Sequence, residues 1–198
     1  YIPEQSKGYG NWFPSLSLSW PVGNVQMQMS YSADIKRPSY QSLRSAIQYD
    51  NRYTYETGNP LLTSEISRNL DYEAAYKWLT FDVTYCHTSH PILEYVETYK
   101  DNPAIGLQKP LNGIAYDDVE TSVSLQPTFG FWHPSFTASI DKQWFNMDTY
   151  EGKALNKPMA SFRFDNTFDT KLAMFTLMMT YDTKGHEQNR YLYKPMFC

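Results

Sequence analysis

The sequence predicts an all-β protein, an antiparallel up-and-down transmembrane β-barrel, here a fragment of about eight to nine strands. Three observations predict it. Apolar and polar residues alternate in runs of strand length, the connections between runs are in turn very short and very long, and aromatic residues gather at the ends of the runs. Short turns at one side, long loops at the other and rings at both interfaces describe a barrel set across an outer membrane.

The first hairpin opens with Leu16, Leu18 and Trp20 alternating with Ser15, Ser17 and Ser19. After Pro21-Val22-Gly23-Asn24 the pattern restarts with Val25, Met27, Met29, Tyr31, Ala33 and Ile35 against Gln26, Gln28, Ser30, Ser32 and Asp34. Successive strand side chains point to opposite faces, so this hairpin has one oily face. In the second, Leu70, Tyr72, Ala74, Tyr76 and Trp78 turn directly into Leu79, Phe81, Val83 and Tyr85. The third runs through Val119, Thr121, Val123, Leu125, Phe129 and Phe131, turns at His133-Pro134, and returns through Phe136, Ala138, Ile140 and Trp144. The fourth has Phe162, Phe164 and Phe168, a turn at Asp169-Thr170, and Ala173, Phe175, Leu177, Met179 and Tyr181, with a partial ninth strand beginning near Tyr191.

Residues 1–198 read as one domain, with long extracellular loops near 36–67 and 88–115. The expected lipid-facing set is Val25, Met27, Met29, Leu79, Phe81, Val83, Val123, Leu125, Phe136 and Ile140, which share the oily sides of their strands. Trp20, Trp78, Trp132 and Phe168 sit at the short-turn ends, while Tyr31, Tyr85, Tyr116, Trp144 and Tyr181 lie toward the long loops. Amphipathic rings favour the two interfaces of a bilayer, and two belts result. One strand departs from the scheme: Leu172, Met174 and Met178 make the second face of the 172–181 run apolar as well, which suits either packing inside a barrel or a strand buried on both sides.

Composition is compatible with this fold. A mean hydropathy of -0.57 looks hydrophilic, but a barrel strand needs an apolar residue only at every second position. A spanning helix needs about 20 consecutive apolar residues, and the longest dense run here is Leu172 to Met179. Aromatic residues make up 17% of the chain and strand formers dominate. A net charge of -4 with scattered Lys and Arg argues against a nucleic-acid partner. Cys86 and Cys198 make neither a disulfide framework nor a zinc spacing, although they could pair beyond the inner membrane. No signal peptide is visible, and the chain reads as a piece of a longer protein.

No catalytic, metal or cofactor site is expected. His87 and His90 are three apart, which on a strand puts them on opposite faces and prevents joint chelation. Asp117 and Asp118, as strand neighbours, point apart and cannot flank one bond. Lys184-Gly185-His186-Glu187 reads as a turn between strands. In the first long loop, Arg37, Tyr40, Tyr53 and Tyr55 are the candidates for contact with a sugar or chelate at the barrel mouth. Together with Tyr49 they could equally pack on one another, and self-packing is the favoured reading because long ordered loops need a core of their own.

That loop also holds Ile35-Lys36-Arg37-Pro38-Ser39-Tyr40 and Tyr53-Thr54-Tyr55-Glu56-Thr57-Gly58-Asn59-Pro60-Leu61, followed by Arg68-Asn69-Leu70-Asp71-Tyr72-Glu73. With Asn102-Pro103 and the Tyr181 to His186 segment, these stretches resemble the late barrel strands and loops of TonB-dependent receptors of the outer-membrane β-barrel type. One departure is Ser64, where the family often carries a proline. The resemblance implies a non-enzymatic, gated transporter in the outer membrane of a Gram-negative cell. It also implies an N-terminal plug domain and an energy-coupling protein as partners, besides outer-membrane lipid and an unknown small nutrient or glycan. Neither the plug nor its coupling peptide is expected in these residues. Gly58 and Asn59 tolerate positive φ, and Pro60 ends any ladder, so the loop should turn there.

Two other architectures fit parts of the pattern. A soluble all-β carbohydrate-binding module, a sandwich or jelly roll, would distribute its connections without regard to end. A complete eight-stranded barrel acting as an anchor would need inward faces that fill one another.

Overall fold

The computed structural model describes residues 12–100, 102–146, 155–187, 190–192 and 196–197. Among them, regular structure consists of fifteen strands, and no helix is long and apolar enough to cross a membrane. Nine strands form one open sheet in the order β1-β2-β5-β6-β9-β10-β11-β12-β15. Eight are the arms of the hairpins expected from the alternation: β1 (Ser15–Val22) and β2 (Val25–Lys36), β5 (Glu65–Tyr76) and β6 (Leu79–Ser89), β9 (Tyr116–Leu125) and β10 (Trp132–Trp144), β11 (Met159–Asp169) and β12 (Met174–Asp182). Every pairing in this sheet is antiparallel. The connections alternate short and long as expected, and the sheet is not closed.

The first two turns are tight. Gly23 supplies the positive φ of 63° that a two-residue hairpin requires, and Lys77 adopts 54° in the second. The first strand runs through Pro21 and Val22 instead of turning there. Proline is tolerated because β1 is an edge strand with β2 as its neighbour.

The third turn lies elsewhere than the sequence suggested. The chain reverses at residues 126–131, with Phe129 and Trp132 bridged across Gly130 at φ 61°, and His133 and Pro134 belong to β10. Pairing between β9 and β10 begins only at Leu125 and Phe136. Pro134 therefore sits where β10 has β11 as its neighbour, and its missing N–H costs no ladder bond toward β9.

The ninth strand also differs. Arg190–Leu192 (β14) pairs with Gly185–Glu187 (β13) in a separate ribbon, and the residues extending the large sheet are Met196–Phe197 (β15). The segment read as a turn at residues 184–187 is thus mostly strand.

Register places the ten expected lipid-facing residues on one face of the sheet. Met29 stands between Leu18 and Tyr72, Tyr72 meets Val83, Val83 meets Thr121, and Thr121 meets Ile140. The next rows hold Met27, Phe81 and Val123, then Leu79, Leu125 and Phe136; Val25 lies on the same side of β2. Met29, Phe81, Val123, Phe136 and Ile140 are exposed.

The opposite face is polar and acidic, carrying Asp71, Glu73, Asp82, Asp118, Glu120 and Asp141. Two of its carboxylates are held by neighbouring hydroxyls: Asp71 accepts from Ser30 (3.1 Å) and Thr84 (3.0 Å), and Asp82 accepts from Ser122 (3.2 Å). The exception is β12, whose Met174 and Met178 are exposed on this side.

Of the two aromatic belts, Tyr116 is not a member. Its position is out of phase with Val119 and Thr121, so it stands on the polar face, buried among Leu93, Phe145 and Leu155. At the short-turn end Phe129, Trp132 and Phe168 stack in sequence, with centroids 5.4 and 6.3 Å apart. The Trp132 indole donates to Asn166 (3.0 Å), which satisfies the one buried amide on the oily face of β11.

Candidate functional site

The two long connections fold together. Residues from both build a second, four-stranded sheet in the order β3 (Gln48–Asn51), β4 (Thr54–Glu56), β8 (Asn102–Asn112), β7 (Ile92–Tyr99). Its central contact is a parallel pairing of β4 with β8, Thr54 opposite Gly106 through Glu56 opposite Gln108. Beyond that ladder the Thr57 N–H donates to the Gln108 carbonyl (2.9 Å) and the Asn59 side-chain amide to the Pro110 carbonyl (3.2 Å). Asn112 completes the clamp: its Oδ1 accepts from the Thr63 N–H (2.8 Å), and its Nδ2 donates to the carbonyls of Thr63 (3.0 Å) and His90 (2.9 Å). Glu65 at the foot of the first loop accepts from the Ile92 N–H (2.8 Å) and faces Lys36 at 3.8 Å.

This sheet is fastened to the large one by the only buried apolar cluster among the described residues, Leu93, Tyr116, Phe145 and Leu155, with Tyr95 packed against it. Phe145, just past β10, is fully buried and meets Tyr116 edge-on at 5.0 Å. The third long connection joins in: the Phe145 N–H donates to Asn156 Oδ1 (2.7 Å), Gln143 donates to the Leu155 carbonyl (2.6 Å), and Lys142 donates to the Asn156 carbonyl. Burial pushes the Tyr95 phenol above its ordinary range. His186 Nδ1 accepts the Lys157 N–H (2.8 Å), and burial together with Lys157 and Lys142 holds its pKa below the usual histidine value. Described residues from three of the long connections thus pack together at the same end of the sheet.

The candidate contact residues are spread over it. Tyr53, exposed, lies in the β3–β4 turn, where its N–H donates to Asn51 Oδ1 (2.9 Å) and Arg52 stands over its ring. Tyr55 is half-buried between Tyr49 and Tyr99, with centroids at 5.8 and 4.8 Å. Tyr40 is 93% exposed on the 40–43 turn, and Arg37 follows directly on β2. The structure therefore brings Tyr53 and Tyr55 into one hairpin and leaves Tyr40 and Arg37 on a different stretch of the loop. His87 lies on the oily face at the loop end, its Nδ1 2.8 Å from Asp117, while His90 occupies a positive-φ turn. Asp117 shares that oily face with Tyr85 (2.6 Å), and Asp118 is on the opposite face.

Gly58 has a different role from the one its sequence suggested. Its backbone does not take the left-handed conformation; instead the 42–44 turn lies directly on it. A Cβ there would stand 2.4 Å from the Arg44 carbonyl oxygen and 2.5 Å from that of Ser42. The approach is fixed by the Asn59 N–H donating to the Ser42 carbonyl (2.6 Å). Gly58→Ala should therefore force the 42–44 turn off the sheet at a cost of about 1–3 kcal/mol. Limited proteolysis of the folded protein checks this, with faster cleavage within residues 37–64 expected and an unchanged pattern counting against it.

Between the 39–48 segment and the β4–β8 pair lies an open cleft of about 170 Å³, lined by Gln41, Arg44, Gln48, Glu56, Glu94 and Gln108 among others. None of these six is identifiable from sequence, because the cleft exists only where residues near 44 and 56 meet residues near 94 and 108. A family model described as an outer membrane protein beta-barrel family matches residues 3–197. Among solved structures, the siderophore receptor PirA from Pseudomonas aeruginosa matches with a TM-score of 0.60 at 14% identity, over 87% of this chain and 34% of that one. A mutant of the ferric enterobactin receptor PfeA from Pseudomonas aeruginosa matches with a TM-score of 0.53 at 14% identity, over 94% of this chain and 31% of that one. The PfeA receptor in complex with BCV-L6 gives 0.54 at 15% identity, over 94% and 32%. The likeness is one of fold, and the chain spans about a third of the length of these structures. No curated protein matches it.

Proposed function

The chain belongs to the outer membrane protein beta-barrel family, and from that footing we propose that it supplies wall strands and outer loops of a TonB-dependent receptor that brings a small nutrient or glycan across the outer membrane. The observation that carries this reading is the division of labour in the large sheet. One face is predominantly apolar, with Met29, Phe81, Val123, Phe136 and Ile140 exposed on it, the other is predominantly polar, and strands from two long connections at one end build a second sheet of their own. A soluble sandwich would cover its apolar face with a second sheet; among the described residues no second sheet packs on that face.

In this reading Val25, Met27, Met29, Leu79, Phe81, Val83, Val123, Leu125, Phe136 and Ile140 contact outer-membrane lipid, and the polar face lines the lumen. Closing a barrel requires partners for both edges, β1 and β12–β15, since an unpaired edge in lipid leaves backbone groups unsatisfied. The resemblance to PirA and PfeA supports a nutrient-receptor role, with a plug domain and an energy-coupling protein as further partners. The role is transport, not catalysis. The acidic lumen face would repel a nucleic acid.

The loop cap faces the cell exterior, so a cysteine at Tyr53, in the full-length protein with Cys86 and Cys198 changed to serine, should react on intact cells with a membrane-impermeant maleimide. Reaction only after the outer membrane is breached would invert this orientation and remove the cap from contact with external ligand.

A further inference from the structure

Resting on the outward placement of the loop cap, we propose that the cleft of about 170 Å³ in it binds the charged backbone of a short peptide or amino acid, with Arg44 taking the carboxylate and Glu56 the ammonium. Arg44 and Glu56 line the same cleft, yet among the described residues neither is ion-paired, with the other or with any other group. Opposite charges that share a hollow without an ion pair between them leave both available to a guest of matching, opposite-ended charge. A guanidinium presents a planar fork of donors that fits a carboxylate bidentately. A carboxylate such as Glu56 accepts several hydrogen bonds, as many as an ammonium can donate.

The rest of the lining agrees with that guest. The side-chain amides of Gln41, Gln48 and Gln108 make no hydrogen bond to protein among the described residues. Each offers both donors and an acceptor, the complement of a peptide unit. Glu94, also in the lining, already has a partner of its own. No aromatic ring lines the cleft, so the stacking platform a sugar ring would use is absent, and the exposed Tyr40 and Tyr53 lie outside it. Its volume is below that of a drug-sized pocket, which is roughly 300–1,000 Å³, and because the cleft is open a short peptide can lie across it with its two ends at the lining charges. The backbone of the wall is preformed: Gly58 lets the 42–44 turn seat beside it, and the Asn59 to Ser42 hydrogen bond holds that turn, and with it the Arg44 backbone, against the end of β4. Preorganisation of this kind reduces the ordering cost of binding.

The test is calorimetric titration of the full-length, detergent-solubilised protein with trialanine, with N-acetyl-trialanine amide, and with maltose. Trialanine should bind saturably, blocking both termini should weaken binding at least tenfold, and Arg44→Gln or Glu56→Gln should each weaken trialanine binding at least tenfold. The blocked peptide needs no variant and so keeps the test independent of any folding defect. Equal binding of the blocked peptide, unchanged binding in both variants, or no saturable trialanine binding overturns the proposal. Maltose competing as well as trialanine overturns the ligand class. Detergent removes sidedness, so failure here leaves the Tyr53 labelling result untouched, and inverted labelling would refute the outward reading even if trialanine binds.

Discussion

Met29→Arg should destabilise the protein in a bilayer by about 2–4 kcal/mol, the cost of a cation near the midplane on a lipid-facing strand position, while the neighbouring Gln28→Arg should fall within about 0.5 kcal/mol of the parent. Met29 lies in the middle of β2, flanked by Leu18 and Tyr72, and is exposed on the apolar face. On the reading of this sheet as a membrane wall, an arginine there would have no water to reach without deforming the lipid. Gln28 is one residue away on the polar face, paired with Ser19 and Glu73, so an arginine there gains a carboxylate neighbour. Denaturant unfolding from lipid vesicles measures both. Equal losses at the two positions would mean that the two faces do not have different solvents.

Phe145→Ala should cost about 3–5 kcal/mol and release the loop cap from the wall. Phe145 is fully buried, it is the largest such side chain, and it joins Tyr116 of the large sheet to Leu93 of the small one. Deleting its ring opens a cavity at the junction, in the cluster that Phe145 shares with Leu93, Tyr116 and Leu155. Faster proteolysis within residues 88–115, with the barrel strands still protected, is the expected signature. A uniform loss of protection would show that the cap and wall unfold as one unit, and no change would show that other contacts hold the cap.

The wall was legible because strand alternation is a local signal. The period of two in residues 15–35, 70–85 and 162–181 identifies both the strands and their apolar sides, and Gly23 marks the first turn. The third turn was misplaced because Pro134 is ordinarily a breaker; its tolerance depends on where β9 stops, which is a property of the partner strand. Tyr116 was assigned to a belt by its position along the chain, although its parity relative to Val119 already placed it on the other face.

The cap was not legible. Its strands are short, and the pairing of Thr54–Glu56 with residues 106–108 joins segments about fifty positions apart, for which periodicity names no partner. The same non-locality hides the cleft: the sequence offers Gly58 as a turn residue and not as a point of close approach, and nothing in it joins Arg44 to Glu56. Of the tyrosines proposed for ligand contact, Tyr55 is engaged with Tyr49 and Tyr99, as the self-packing reading anticipates.

The most direct measurement of the central claim is a spin-label scan of residues 25–33 in the full-length protein, with Cys86 and Cys198 replaced by serine and the protein reconstituted in a bilayer. Labels at Val25, Met27, Met29 and Tyr31 should be accessible to oxygen dissolved in the lipid, and those at Gln26, Gln28, Ser30 and Ser32 to a water-soluble nickel chelate, while Ala33, which is buried, serves as the shielded reference. That period of two is the predicted result. Uniform accessibility to the chelate across residues 25–32, with no alternation, would contradict the assignment of this sheet as a membrane wall.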